Sequence, residues 1–196
     1  METLELLKRQ FPRAGRVVWI GVRARRRGPV SVRQQARALA GAGLDGDHYG
    51  GRSGARGITL MQSEHLAALG ALLGEPPLDP TRLRRNLVVS GINLTALQGR
   101  QFVIGEVLLL GTGLCHPCAR MEEVLGPGGY NAMRGHGGLN ARVLRGGLIR
   151  VGDAVAICAP EEAMHFGVRE NPGRYDNLDY DNDNDNDGQV LPDGLI

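Results

Sequence analysis

The chain has 196 residues, 42% of them apolar and 4% aromatic, which suffices for one domain of ordinary size with an aliphatic core. Three cysteines are too few for a disulfide framework and favour a reducing compartment. We find neither a signal-peptide pattern nor an apolar run near the roughly 20 residues of a membrane span. The net charge of +2 conceals an asymmetry, because residues 1–160 carry 21 basic and 11 acidic side chains while residues 161–196 carry 2 and 10. We therefore expect a cytoplasmic protein with a basic body and no membrane partner.

The basic residues of that body are arginines, with the single exception of Lys8. A guanidinium binds oxyanions through a planar fork that lysine cannot copy, so the body suits an anionic small molecule. A basic surface also suits nucleic acid, and a bias toward arginine can follow simply from the base composition of a genome. We expect an anionic small molecule as the ligand and keep nucleic acid as the less favoured alternative.

Thirty glycines in a chain of this length predict many tight turns between short strands, which is typical of a mainly β domain. Runs with strand character lie at residues 16–22, 30–32, 58–61, 102–110, 139–144, 147–155 and 155–158. The run at 102–110 predicts a hairpin-like pair of strands. Cys158, at the end of the last run, is predicted to lie in the core.

Short helices are predicted between these strands. Residues 1–10 indicate an amphipathic helix, and residues 34–40, 94–99 and 121–125 have helical character. Ser63 is predicted to cap a further helix that buries a leucine face. That face consists of Leu66, Leu69, Leu72 and Leu73.

A loop at residues 44–51 combines acids, a histidine and glycines. Asp45, Asp47 and His48 are metal-ligand types, but the further ligands that a calcium loop needs are missing at the required spacing. The favoured interpretation is a hydrogen-bonded turn that shapes the rim of a pocket.

Residues 82–91 place arginines and an asparagine at the start of another strand-like run. Asn86 can donate and accept hydrogen bonds at once, and arginines beside it can bind an anion. The alternative is a positively charged strand end that faces water.

The loop at residues 111–120 contains two of the three cysteines, Cys115 and Cys118. It follows an apolar run, and its glycines and Pro117 can hold a thiol in one place. His116, Arg120 and Arg134 are predicted to favour the thiolate form of Cys118, because positive neighbours stabilise an anion. The alternative is that Cys118 is a small buried apolar residue.

Residues 161–196 differ in character from the rest of the chain. Alternating Asp and Asn at 181–187 form a low-complexity acidic segment with too few apolar residues to repay the entropy of ordering. The sequence predicts a disordered tail, so truncation near residue 165 should leave the melting temperature nearly unchanged.

Several stretches, taken together and in order, resemble the MOSC domain, a family named for the C-terminal part of molybdenum cofactor sulfurase. The matching pieces are residues 44–48, 56–60, 84–91, 99–105, the loop that ends at Pro117-Cys118, and 141–153. The resemblance implies a mainly β, barrel-like fold with a few short helices, a domain spanning residues 1–160, and a reactive cysteine at position 118. It also places Arg84 and Asn86 on the Arg-x-Asn motif that lies against the pterin in molybdenum-binding relatives.

The resemblance implies one of two chemistries for Cys118. As a sulfur carrier, Cys118 would accept sulfane sulfur as a persulfide, with Arg84, Asn86 and Arg120 holding an anionic acceptor. As a molybdenum-cofactor protein, Cys118 would ligate the metal while those residues and His116 contact the molybdopterin. The chain contains no fused pyridoxal-phosphate domain, so a separate cysteine desulfurase is the expected sulfur donor, and a redox partner is expected for an oxidoreductase.

Two departures from the family pattern keep alternatives open. The extra Cys115 creates a Cys-x-x-Cys pair, which a thiol–disulfide oxidoreductase would use, although such a pair normally opens a helix in a βαβ unit. The additional N-terminal β-barrel domain of amidoxime-reducing relatives is absent from the sequence, and a non-catalytic anion-binding or nucleic-acid-binding domain is the third alternative. Zinc is not favoured, because a structural site needs four ligands and no second ligand pair is present.

Overall fold

The computed structural model describes residues 3–49 and 53–158. Within these ranges the chain forms ten strands. They are β1 Gly15–Val22, β2 Ser31–Arg33, β3 Gln35–Ala38, β4 Ile58–Gln62, β5 Leu87–Ser90, β6 Gln101–Ile104, β7 Val107–Leu114, β8 Leu139–Arg145, β9 Gly147–Arg150 and β10 Ala154–Ile157.

Seven of these strands close into a barrel with the order β1-β5-β4-β8-β7-β6-β10. The barrel closes where β10 returns to β1, through the antiparallel pairs Gly15↔Val155 and Arg16↔Ala154. The β4–β5 pair is parallel, and the other barrel pairs are antiparallel. Closure leaves no barrel strand with an unpaired edge. The predicted class, a mainly β barrel with short helices, is confirmed.

Short helices connect the strands. They are α1 Leu4–Leu7, α2 Ser63–Leu73, α3 Ala119–Leu125 and α4 Gly129–Met133, with 3₁₀ turns at Pro80–Arg82 and Leu94–Leu97. In the described ranges, none of the helices is both long enough and apolar enough to cross a membrane.

The core is aliphatic, as the low aromatic content predicts, and it has two parts. Side chains that alternate along the strands, such as Ile20, Leu60, Leu87 and Leu109, fill the barrel interior around Phe102. The intervening side chains of β4 and β5 point outward and pack under α2, α3 and α4. This second cluster contains Met61, Leu66, Leu69, Leu78, Leu83, Val88, Met121, Leu125 and Met133. The helical layer therefore fixes the start of α3, where the cysteine loop ends.

The predicted helix at 34–40 is wrong, because residues Gln35–Ala38 form β3. This strand buries Ala36 and Ala38 on alternate positions and pairs antiparallel with β9, with Gln35 opposite Arg150. Alanine, glutamine and arginine favour helices locally, and pairing with a distant strand overrides that preference.

The predictions for the helix at residues 1–10 and for the helix that starts near Ser63 also need correction. The amphipathic helix at 1–10 shrinks to α1, whose Leu4 and Leu7 are exposed. Ser63 is the first residue of α2 rather than its cap, since Gln62 occupies the N-cap position without a side-chain cap bond. Leu72 is 61% exposed, so the buried leucine face is narrower than predicted.

The end of the domain also departs from prediction in detail. The single strand expected at 147–155 is divided by a turn at Val151 and Gly152 into β9 and β10. Cys158 is half-buried just after β10, where its N–H donates to the carbonyl of Gln101 at 3.1 Å, so it is not a core residue. The predicted disordered tail at 161–196 lies outside the described residues.

Candidate functional site

The cysteine loop runs from the end of β7 to the start of α3, and its two cysteines differ in solvent exposure. The N–H of Cys115 donates to the carbonyl of Gly138 at 2.8 Å, and Cys115 is half-buried. Pro117 is buried, and Cys118 is exposed at the N-cap position of α3, where its carbonyl accepts the N–H of Met121. The backbone of Cys115 therefore anchors the loop, and Cys118 presents its thiol to solvent.

A second loop, at Gly137 and Gly138, supports the first at very short range. A Cβ added to Gly137 would lie 1.9 Å from the carbonyl oxygen of Cys115. Gly138 has a positive φ of 91°, and a Cβ there would lie 1.9 Å from the carbonyl oxygen of Leu60. Only glycine fits such approaches, so these two residues set the position of the cysteine loop.

Arg85 joins both loops to the start of β5. Its side chain is buried, with 6% of the residue exposed. Nε donates to the carbonyl of Gly137 at 2.7 Å, and Nη2 donates to the carbonyl of Cys115 at 3.2 Å. The sequence motif indicates the residues on either side, Arg84 and Asn86, and does not indicate Arg85. No local pattern marks it, because its partners lie 52 and 30 positions away.

Asn86 is buried and holds three strands together. Its Oδ1 accepts hydrogen bonds from the backbone N–H and the hydroxyl of Thr59, at 3.0 and 2.9 Å. Its Nδ2 donates to the carbonyl of Gly21 at 3.4 Å. The Asn86 amide thus links β5 to β4 and β1, and a role in contacting a ligand stays a prediction.

Arg23, directly after β1, is a second buried arginine near the cysteine loop. Its neighbours Arg25, Arg26 and Arg27 are exposed. Arg23 is only 9% exposed. Burial and the nearby guanidinium of Arg84 lower the pKa of Arg23; Asp47 opposes the shift, and Arg85 adds to it.

Arg23, Arg84 and Arg85 therefore form a guanidinium cluster next to the cysteine loop. Arginine stays charged in proteins, so the cluster carries three positive charges with Asp47 as the acid beside Arg23. In the described ranges, no hydrogen-bond acceptor is found for the Arg23 guanidinium, and the residue's backbone N–H binds Asp47 instead. The arrangement is one that an added anion would stabilise.

The loop with Asp45, Asp47 and His48 packs against Arg23. Asp47 Oδ1 accepts the Arg23 N–H at 2.8 Å, and the His48 N–H donates to the Arg23 carbonyl at 2.7 Å. These bonds make the loop a support for Arg23. In the described part of the chain, no group of three or more His, Cys, Asp or Glu side chains is placed to hold a metal ion.

The other predicted neighbours of Cys118 lie on or near α3 and α4. Arg120 forms an ion pair with Glu123 on the same helix. His116 and Arg134 are exposed. The structure gives Arg120 an acidic partner of its own, and contacts of Arg120 and His116 with a ligand remain predictions.

A histidine pair adjoins the Gly137 loop, and the sequence did not indicate it. The rings of His65 on α2 and His136 meet edge to face, with their centroids 4.7 Å apart. The Nδ1 atoms of both are buried and lack a hydrogen-bond partner among the described residues. Burial and then the imidazole of His136 lower the pKa of His65, while a hydrogen bond with the His136 backbone opposes the shift, so His65 is favoured in its neutral form.

Comparison with known proteins agrees with this architecture. The family model described as MOSC domain matches residues 45–156. The YuaD protein from Bacillus subtilis superposes with a TM-score of 0.64 at 20% identity, covering 73% of this chain and 94% of that one. YiiM from Geobacillus stearothermophilus gives a TM-score of 0.59 at 18% identity, with 74% and 75% covered. YiiM from Escherichia coli gives 0.59 at 16% identity, with 79% of both chains covered. No curated protein matches the chain.

Proposed function

The chain belongs to the MOSC domain family, and from this premise we propose that it presents the Cys118 thiol to an anionic ligand bound at the guanidinium cluster. The observation that carries the proposal is the pair of hydrogen bonds from Arg85 to the loops of Cys115 and Gly137. They join the cluster to the cysteine loop, so a ligand bound by the arginines would lie near the thiol.

The charge of the cluster supports an anion as the ligand. The Nε and Nη atoms of Arg85 already donate hydrogen bonds to the carbonyls of Gly137, Cys115 and Arg84. Arg23 has no such acceptor in the described ranges, and a largely buried guanidinium forms strong, forked bonds to a phosphate or carboxylate. We therefore expect Arg23 to contact the anion, with Arg84, whose guanidinium lies near it, as the second predicted contact.

The molybdenum cofactor fits these residues, because it combines a phosphate with a thiophilic metal. Arg23 and Arg84 would hold the phosphate, with Asn86, His116 and Arg120 as predicted further contacts. Cys118 would offer a soft thiolate, which suits such a metal. When bound, the cofactor would supply the redox chemistry of molybdenum; the chain's own part is to bind, orient and shield it.

The exposure of Cys118 favours sulfur transfer as a second candidate. The Cys118 thiolate would attack the terminal sulfur of a donor persulfide, so that a new S–S bond forms on Cys118 as the donor's S–S bond breaks. The donor leaves as a thiolate, and no net oxidation occurs. A separate cysteine desulfurase is the expected donor, since its persulfide can reach an exposed thiol.

Protein purified from its own host tests the proposal. We expect molybdenum and pterin in the wild type or, after incubation with a desulfurase and cysteine, a reductant-sensitive mass gain of one sulfur atom. Cys118→Ser should lose either signal, whereas Cys158→Ser, which changes a half-buried cysteine beyond the loop, should keep it. Full retention in Cys118→Ser would overturn the role of the thiol. Loss in Arg23→Gln together with retention in Cys118→Ser would indicate an anion-binding domain without thiol chemistry.

A further inference from the structure

A cavity on the wall of the barrel has no part in the proposed function. It has a volume of about 480 Å³ and is lined by Lys8, Thr95, Gln98, Gly99, Arg100 and Thr112, among others. Lys8 follows α1, Arg100 precedes β6, and Thr112 lies on β7. None of Arg23, Arg84, Arg85 and Cys118 lines it. The cavity is therefore separate from the guanidinium cluster.

The lining carries two cations and no carboxylate. The hydroxyl of Thr95 already donates to Asn93 Oδ1 at 2.7 Å, and that of Thr112 donates to the carbonyl of Ala55. In the described part of the chain, the half-buried Arg100 side chain forms no hydrogen bond or ion pair. Arg100 is therefore the main donor of the cavity, and Lys8 adds a second positive charge to its lining.

The backbone that carries Arg100 is held rigidly against β7. Gly99 N–H donates to the carbonyl of Gly111 at 2.8 Å, and the carbonyl of Arg100 accepts the Gly111 N–H at 3.0 Å. Gly99 has a positive φ of 70°, and a Cβ there would meet no atom within 4 Å. Gly99 therefore provides the left-handed backbone conformation of the turn before β6, and the space beside Arg100 is unfilled. The backbone of Arg100 therefore needs no rearrangement when its side chain binds a ligand.

We propose that this cavity is an oxyanion-binding site for a small phosphate monoester. An arginine fork with a nearby lysine matches a phosphate dianion better than a carboxylate, which carries one charge. The volume lies within the usual range for small-ligand sites and exceeds what a bare phosphate fills. The attached group of the ester occupies the remaining space beside Thr95 and Thr112.

Titration of the full chain with glycerol 3-phosphate, inorganic phosphate and acetate, followed by amide chemical shifts, tests this site. We expect saturable shifts at Gly99, Arg100 and Thr112 with both phosphates, with the ester binding at least as tightly. Arg100→Gln should weaken binding by about tenfold or more, and Lys8→Gln should weaken it by a smaller factor. Arg37→Gln removes the same charge from an exposed position on β3 that does not line the cavity, and it should leave the affinity unchanged.

Three results would overturn the proposal: no saturable shift in the wild type, acetate bound as tightly as phosphate, or equal weakening in Arg37→Gln. If Arg100→Gln does not fold, Lys8→Gln decides, because Lys8 is exposed and its replacement leaves the core intact. Cys118→Ser must bind glycerol 3-phosphate normally. A failure of the cysteine chemistry is therefore distinguishable from a failure of this site.

Discussion

Arg85 Nη2 donates a hydrogen bond to the carbonyl oxygen of Cys115 over 3.2 Å, so a buried charge at the start of β5 holds the loop that carries the exposed thiol. Nε of the same guanidinium holds the Gly137 carbonyl at 2.7 Å. Both acceptors are main-chain carbonyls, so the contacts of Arg85 depend on the backbone conformation of the loop and not on the identity of its side chains. Sequence changes within the loop are compatible with this arrangement as long as the path is kept.

Replacing Arg85 with methionine should therefore destabilise the protein and loosen the loop. The carbonyls of Gly137, Cys115 and Arg84 lose their charged donor, and the free energy of unfolding should fall by about 2–3 kcal/mol. Chemical denaturation measures the loss, and faster alkylation of the half-buried Cys115 would report the loosened loop. Arg82→Gln is the control, because Arg82 pairs with Glu75 at the surface and should cost much less. A variant as stable as the wild type would show that Arg85 does not hold the loop.

Asn86→Ala should destabilise the barrel through a different set of bonds. The backbone N–H and hydroxyl of Thr59 lose their acceptor, and the expected loss is about 1–3 kcal/mol. Asn131→Ala, at an exposed position on α4, should change the stability within about 0.5 kcal/mol. If Asn86→Ala has the stability of the wild type yet loses its ligand, Asn86 is a ligand contact and does not stabilise the barrel.

The strands were predictable where they form runs of apolar residues, as in β1 and β7. The closure of the barrel through Gly15 and Val155 was not visible in composition or periodicity, and only the family resemblance implied it. The segment Gln35–Ala38 shows the limit most clearly. Its residues favour a helix locally, and its partner Gly147–Arg150 lies more than a hundred residues away.

The candidate site was predictable to the same extent. Cys118 is singled out by the loop around it, since glycines and a proline mark it locally. Arg23 and Arg85 escaped notice because burial of a charge depends on neighbours that are distant in sequence. Arg23 in particular looks like part of the exposed Arg25–Arg27 run, and the structure separates it from that run by turning its backbone onto Asp47.

The histidine pair predicts a pH dependence of stability. The pKa of His65 is lowered in the folded protein, mainly by burial and then by the imidazole of His136, while a hydrogen bond with the His136 backbone and the Glu64 carboxylate act in the opposite direction. The unfolded chain therefore binds a proton that folded His65 resists, and the free energy of unfolding should fall as the pH drops below the ordinary value of 6.5. Above that value this contribution should be fully present.

His65→Gln should flatten this dependence. We expect the melting temperature of the wild type to fall more steeply than that of the variant as the pH is lowered from about 7.5 to about 5.5. His116→Gln, at an exposed position on the cysteine loop, should retain the slope of the wild type. Equal slopes in wild type and His65→Gln would show that His65 does not resist protonation.

The two loop cysteines should differ in their rate of alkylation and in the effect of their replacement on function. Cys118 is exposed while Cys115 and Cys158 are half-buried, so Cys118 should alkylate first at about pH 7, as peptide mass spectrometry would show. Cys118→Ser should abolish persulfide loading or cofactor retention without lowering the melting temperature, because serine keeps the shape and removes the soft nucleophile. Cys115→Ser should have a smaller effect, since Arg85 and Gly138 bind the backbone of residue 115 and not its thiol. Equal loss in both variants would contradict the single-thiol proposal and favour a disulfide-forming pair, in which neither cysteine works alone.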